Sequence, residues 1–91
     1  MDFEWNPRKA EINLRKHGVL FTEAGTVFGD DLAITVPDPD HSNDEYRYIT
    51  IGWSDRRRLL MVSHTDRGDR IRIVSARELT KAERKDYEKE N

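Results

Sequence analysis

Residues 46–77 read YRYITIGWSDRRRLLMVSHTDRGDRIRIVSAR. Three strand-like runs, 46–53, 59–65 and 71–77, are separated by short polar links. Links of about two to five residues join antiparallel neighbours, so the stretch predicts a meander. It holds eight of the sixteen Lys and Arg residues, against three acids, Asp55, Asp66 and Asp69. The predicted sheet is therefore basic.

Outward from this centre the charge changes sign. Residues 1–45 carry four basic and ten acidic side chains, residues 46–77 eight and three, and residues 78–91 four and five. A polyanion would be drawn to the middle third. An acidic face meeting a basic face within the fold would use the same charges. The 91 residues predict one domain, 1–91, with a small core. The absence of cysteine excludes disulfides and thiolate metal sites and fits a reducing cytoplasm. No apolar run approaches the ~20 residues of a membrane span, and MDFEWNPRKAE lacks the build of a signal peptide. The expectation is a soluble cytoplasmic protein.

Upstream, Phe3-Glu4-Trp5 predicts a short edge strand. Asn6-Pro7 caps and opens a helix that ends at Gly18, with Ala10, Leu14 and His17 on one face and Asn13 beside them. Thr22 is the expected cap of a second helix, whose apolar side is Ala24, Val27 and Phe28. Residues 32–36 predict a strand, and Pro37 to Asp44 a turn-rich loop. Thr80 and Glu83 form a capping box for a final helix. Helices segregated from a mainly antiparallel sheet give an α+β fold. The apolar residues before the meander suffice for one sheet face, leaving the other open.

Strand side chains alternate between faces. Ile49 and Ile51 are the expected core residues of the first meander strand, with Tyr48 and Thr50 outward. Ile71 and Ile73 point inward from the third. The middle strand allows two phases. Leu59 and Met61 inward put His64 on the outer face; the opposite phase buries His64 beside Leu60 and Val62. The first phase brings His64 together with Arg47, Tyr48, Arg70 and Arg72 at one end of an open sheet, with Arg67 in the turn. Guanidinium forks bind phosphate, Tyr stacks on unpaired bases, and His moves protons near neutral pH. Such a set suits RNA cleavage through the 2′-hydroxyl and requires no metal or cofactor. From the bare residues, solvated strand arginines beside a surface His are the favoured reading.

The segments FEWNPRKAEINLRKHGV (3–19), PDPDHS (37–42), YRYITIG (46–52) and RIRIVSARELTKAER (70–84) resemble the BrnT family of type II toxin–antitoxin toxins. The resemblance implies a RelE-like fold, with two N-terminal helices on one face of the sheet and a C-terminal helix. It implies metal-independent RNA cleavage that arrests translation. It also implies a BrnA-like ribbon-helix-helix antitoxin, in a heterotetramer that reaches operator DNA only through the antitoxin. The resemblance carries over a type of site and no fixed roles; with the strand geometry, His64, Arg72 and Arg47 are the expected catalytic residues. Arg70, Arg67, Tyr48, Lys16, His17 and Arg77 are the expected RNA-binding residues. Strand direction puts Arg77 at the other end of the sheet, where an ion pair with Glu78 or Glu83 is the structural alternative. Asp38, Asp40, His41 and Asp44 match no calcium-binding pattern and are read as a solvated loop. A non-catalytic module whose basic sheet docks nucleic acid or an acidic protein segment is the competing function.

Overall fold

The computed structural model describes residues 1–38, 40 and 46–90. The order is β1 (Asp2–Glu4), α1 (Pro7–His17), α2 (Phe21–Thr26) continuing into a 3-10 turn (Val27–Gly29), β2 (Ile34–Pro37), β3 (Arg47–Trp53), β4 (Leu59–Arg67), β5 (Arg70–Glu78) and α3 (Lys81–Glu90). The strands form one five-stranded sheet in the order β1-β5-β4-β3-β2. β1 runs parallel to β5, and every other pairing is antiparallel. The architecture is α+β around the predicted meander. His41 and Asp44 lie outside the described residues.

Local chemistry explains the helix ends. Asn6 Oδ1 accepts from the Arg8 and Lys9 backbone N–H groups at 2.8 and 3.2 Å, and Pro7 occupies the first turn, where its missing N–H costs nothing. Gly18 closes α1 with φ 69°, which a side chain would disfavour. The second helix starts earlier than Thr22 predicts. Leu20 is its extended N-cap, because Phe21 turns inward and is 2% exposed. Thr80 and Glu83 form the expected capping box at α3, with reciprocal bonds of 2.9 and 3.2 Å.

α1 packs through Asn13 and the partly buried Ala10 rather than through the whole expected Ala10–Leu14–His17 face. Leu14 is exposed and Asn13 is buried. β1 pairs with β5 only as far as Arg72, which leaves the rest of the β5 edge without a neighbouring strand. Asn13 takes that place. Its Oδ1 accepts from the Ala76 N–H at 3.0 Å, and its Nδ2 donates to the Ala76 carbonyl at 2.9 Å and to the Val19 carbonyl at 3.0 Å. One amide side chain thus satisfies both backbone groups of an edge residue.

The core joins Val19, Phe21, Ala24 and Val27 to Leu60, Val62, Ile73 and Ala76. β4 therefore adopts the second of its two phases, with Leu60, Val62 and His64 facing the helices. β3 is also reversed. Thr50 is buried and Gly52 faces the 3-10 turn, while Ile49 and Ile51 face the other side. Gly52 shows why. A Cβ there would lie 2.9 Å from the Ala33 Cβ and 3.1 Å from Val27 Cγ1. The backbone approach demands glycine at a core-facing position, and alternation then carries Thr50 and Tyr48 inward with it.

β5 changes phase part-way. Ser63 pairs with Ser75, but the next residue, His64, pairs with Ile73, so Val74 is an extra residue in a β-bulge. Ahead of the bulge, Ile71 and Ile73 face the core while Arg70 and Arg72 face away. Past it, Ala76 faces the core, and Ser75 and Arg77 join the open face. α3 meets that open face at its far end, where the Arg84 guanidinium lies 5.0 Å from the Trp53 ring centroid and Tyr87 is buried.

Candidate functional site

The open face presents three cross-strand rows. Arg47, Thr65 and Arg72 form one, Ile49, Ser63 and Ser75 the next, and Ile51, Met61 and Arg77 the third. The rows enclose a hollow of about 270 Å³. Ile49 and Met61 form its apolar floor, Ser63 and Ser75 supply hydroxyls, and Arg47 and Arg77 stand at its rim. His17, the last residue of α1, closes the β5 side, and Asp38, after β2, contributes a carboxylate.

The two arginines differ in their commitments. Arg77 Nη1 and Nη2 donate to Glu83 Oε1 and Oε2 at 2.8 and 2.9 Å, and Nη1 also reaches the Glu78 carbonyl at 3.2 Å. The Glu83 bonds raise the Arg77 pKa and hold the Glu83 carboxyl down at about 2. A guanidinium has five N–H donors, so Nε–H and one Nη2–H are not used by these bonds. Arg47 makes no ion pair among the described residues and is the cation of the hollow least neutralised by the fold.

Several predicted site residues lie elsewhere. His64, expected on the outer face, is in the core at 4% exposure. Its ring is held edge-on to Phe28 at 4.9 Å between centroids and stacked on Tyr48 at 5.9 Å. Its Nε2 lies 2.7 Å from Thr50 Oγ1, which in turn bonds Thr35 Oγ1 at 2.7 Å. Burial pushes the His64 pKa down, keeping the ring neutral. Strand direction correctly made Arg47, Tyr48, His64 and Arg72 neighbours along the sheet. The assumed phase was wrong, so Tyr48 and His64 are on the helix-covered face and Arg47 and Arg72 on the open one. Arg72 is tied to Glu4 at 2.9 Å, and Arg70 lies 3.9 Å from the same carboxylate. Arg67 is exposed beside the Gly68–Asp69 turn, and Lys16 is exposed on α1. The predicted Arg77–Glu83 ion pair is present, yet Arg77 shares the hollow with Arg47.

Ser63 was missed because the run LLMVSHT has no polar–apolar contrast that fixes its phase. The single signal was Gly52, whose close approach to Ala33 and Val27 sets the neighbouring strand. Among the described residues, no group of three or more His, Cys, Asp or Glu side chains is arranged to hold a metal ion. A larger cavity of about 930 Å³ lies between β1 and α2. Phe3, Trp5, Phe21 and Phe28 make its wall largely apolar, and Arg70 is its one basic side chain, so it does not offer convergent cations.

Fold and site together define a small α+β protein with its core on one sheet face and a cationic, hydroxyl-lined hollow on the other. The sequence matches, over residues 5–83, the family described as "Ribonuclease toxin, BrnT, of type II toxin-antitoxin system", and the chain belongs to that family. It is similar in fold to the crystal structure of the Brucella abortus ribonuclease toxin BrnT, with a TM-score of 0.70 and 20% identity, covering 89% of this chain and 99% of that one. No curated relative matches the sequence significantly. No described helix is long and apolar enough to cross a membrane.

Proposed function

We propose that the chain is a metal-independent endoribonuclease toxin of RelE-like type, whose open-face hollow holds the scissile phosphodiester of a single RNA strand. The observation that carries this reading is the meeting of His17, Arg47 and Arg77 around one hollow in a member of a ribonuclease toxin family. Arg47 holds the non-bridging phosphate oxygens, and the uncommitted donors of Arg77 add to the same charge. His17 takes the proton of the 2′-hydroxyl or supplies one to the leaving oxygen. O2′ then attacks phosphorus, the P–O5′ bond breaks, and O5′ leaves with a proton. The products carry a 2′,3′-cyclic phosphate and a 5′-hydroxyl. Ser63 and Ser75 offer hydroxyl contacts to ribose or phosphate. Arg72, Arg70 and Arg67 contribute longer-range attraction to the strand. His64 and Tyr48 support the site from the core and do not contact the substrate.

Cleavage of cellular RNA by this site in the cytoplasm would arrest translation. As a toxin of a type II system, the chain would be neutralised by a protein antitoxin, for which we propose the ribbon-helix-helix class in a heterotetramer. Incubation of the purified chain with RNA in EDTA tests the activity. Products with cyclic phosphate ends that vanish on Arg47→Ala and His17→Ala support the reading. RNA binding without cleavage would instead identify a non-catalytic binding module.

A further inference from the structure

A second hollow, of about 180 Å³, adjoins the first on the α1 side. The two share His17 and Ser75, which form the ridge between them. Lys9, Ile12 and Lys16 line the new hollow from the helix, and the bulged Val74 lines it from β5. Lys9 and Lys16 are separated by seven residues, close to two turns, and therefore lie on one helix face about 10 Å apart along the axis. Both are exposed, and neither makes an ion pair among the described residues. By contrast, Arg15 on the same helix is paired with Glu11. No carboxylate lines this hollow. Ile12, 52% exposed, adds an apolar surface between the two ammonium groups.

We infer that this hollow is a flanking-strand subsite, in which Lys9 and Lys16 bind backbone phosphates of single-stranded RNA adjacent to the step held at Arg47. The inference rests on the ribonuclease reading of the first hollow. Flexible ammonium groups at this spacing can reach two nearby phosphates of an extended strand and do not read bases. Ile12 would pack against the intervening ribose or base. Val74 makes this possible through the backbone. Its insertion turns Ser75 toward the first hollow while Val74 itself lines the second.

The test uses the whole chain and 2′-O-methyl oligoribonucleotides, which lack the attacking hydroxyl and remain intact. A trimer fills the first hollow, and a dodecamer also reaches the second. Lys9→Ala/Lys16→Ala should weaken dodecamer binding about tenfold and reduce the steepness of its salt dependence by about 1.4 log units per log unit of salt, at about 0.7 per phosphate contact. Trimer binding should be unchanged, and Lys9→Arg/Lys16→Arg should restore the dodecamer. Dodecamer binding within about twofold of wild type, with the same salt slope, overturns the inference while unmodified RNA is still cleaved. If the wild-type chain neither binds nor cleaves RNA, the ribonuclease reading fails and takes the inference with it.

Discussion

Arg77 and Glu83 face each other fork to fork, with Nη1 donating to Oε1 at 2.8 Å and Nη2 to Oε2 at 2.9 Å. Glu83 also accepts from the Thr80 N–H, so one carboxylate caps α3 and anchors a guanidinium of the candidate site. The helix and the hollow are therefore mechanically joined. Its folded pKa of about 2 lies below the ordinary 4.5, so the pair stabilises the fold fully above about pH 4.5 and loses that contribution as pH falls toward 2. Glu83→Gln should show a smaller loss of stability between pH 5 and pH 2.5 than wild type. Urea unfolding at the two pH values measures the difference. It should also lower RNA cleavage about tenfold at neutral pH by freeing Arg77.

Arg47→Ala and His17→Ala should each lower cleavage by about two orders of magnitude or more, with little change in thermal midpoint. His64→Gln should do the reverse, lowering stability while leaving most of the cleavage rate. Parallel cleavage assays and thermal melts separate the two patterns. Loss of cleavage in His64→Gln with unchanged stability would contradict the buried placement.

His64 also predicts an acid-side loss of stability. Its pKa is depressed by burial, so the unfolded chain binds a proton near pH 6.5 that the folded chain resists. The stabilising contribution is complete above that value and is lost as pH falls through the lowered folded pKa. Nδ1 has no hydrogen-bond partner among the described residues, and the charge of Asp66 offsets the burial only in part. Wild type should lose stability between pH 7.5 and pH 5.5, and His64→Gln should lose less. Denaturant midpoints at the two pH values are the readout.

Asn13→Ala removes three hydrogen bonds and leaves the Ala76 N–H and carbonyl unpaired at the sheet edge. The cost should be about 2–6 kcal/mol, from roughly 1–3 kcal/mol for each of these two groups left unsatisfied. Asn13→Asp keeps the acceptor for the Ala76 N–H but faces two carbonyls with a carboxylate, so it should not rescue. Equilibrium unfolding of the two variants measures this.

Gly52→Ala places a Cβ against the Cβ of Ala33 at 2.9 Å, an atom fixed to backbone, and should cost about 1–3 kcal/mol by overpacking. Ala33→Gly in the same chain should recover part of the loss. Thermal melts of the single and double variants check the contact.

The amino-acid sequence alone determined the meander, the α+β class, the caps at Asn6, Gly18 and Thr80, and the neighbours of each strand residue along the sheet. Those features follow from local geometry, turn length and strand direction. It also carried the family, through motifs spread along the chain. Which face each side chain takes was decided by the tertiary structure. LLMVSHT is apolar or small in both phases, so its own residues could not choose, and the close packing of Gly52 against Ala33 and Val27 chose for it. The bulge at Val74 then reversed the outlook of β5, moving Arg77 onto the face of Arg47. His17 is placed there by the packing of α1 on the β5 edge, where Asn13 bonds Ala76. A one-residue change of phase moves every later side chain to the other face, so a sequence that predicts the strands can still misplace the site.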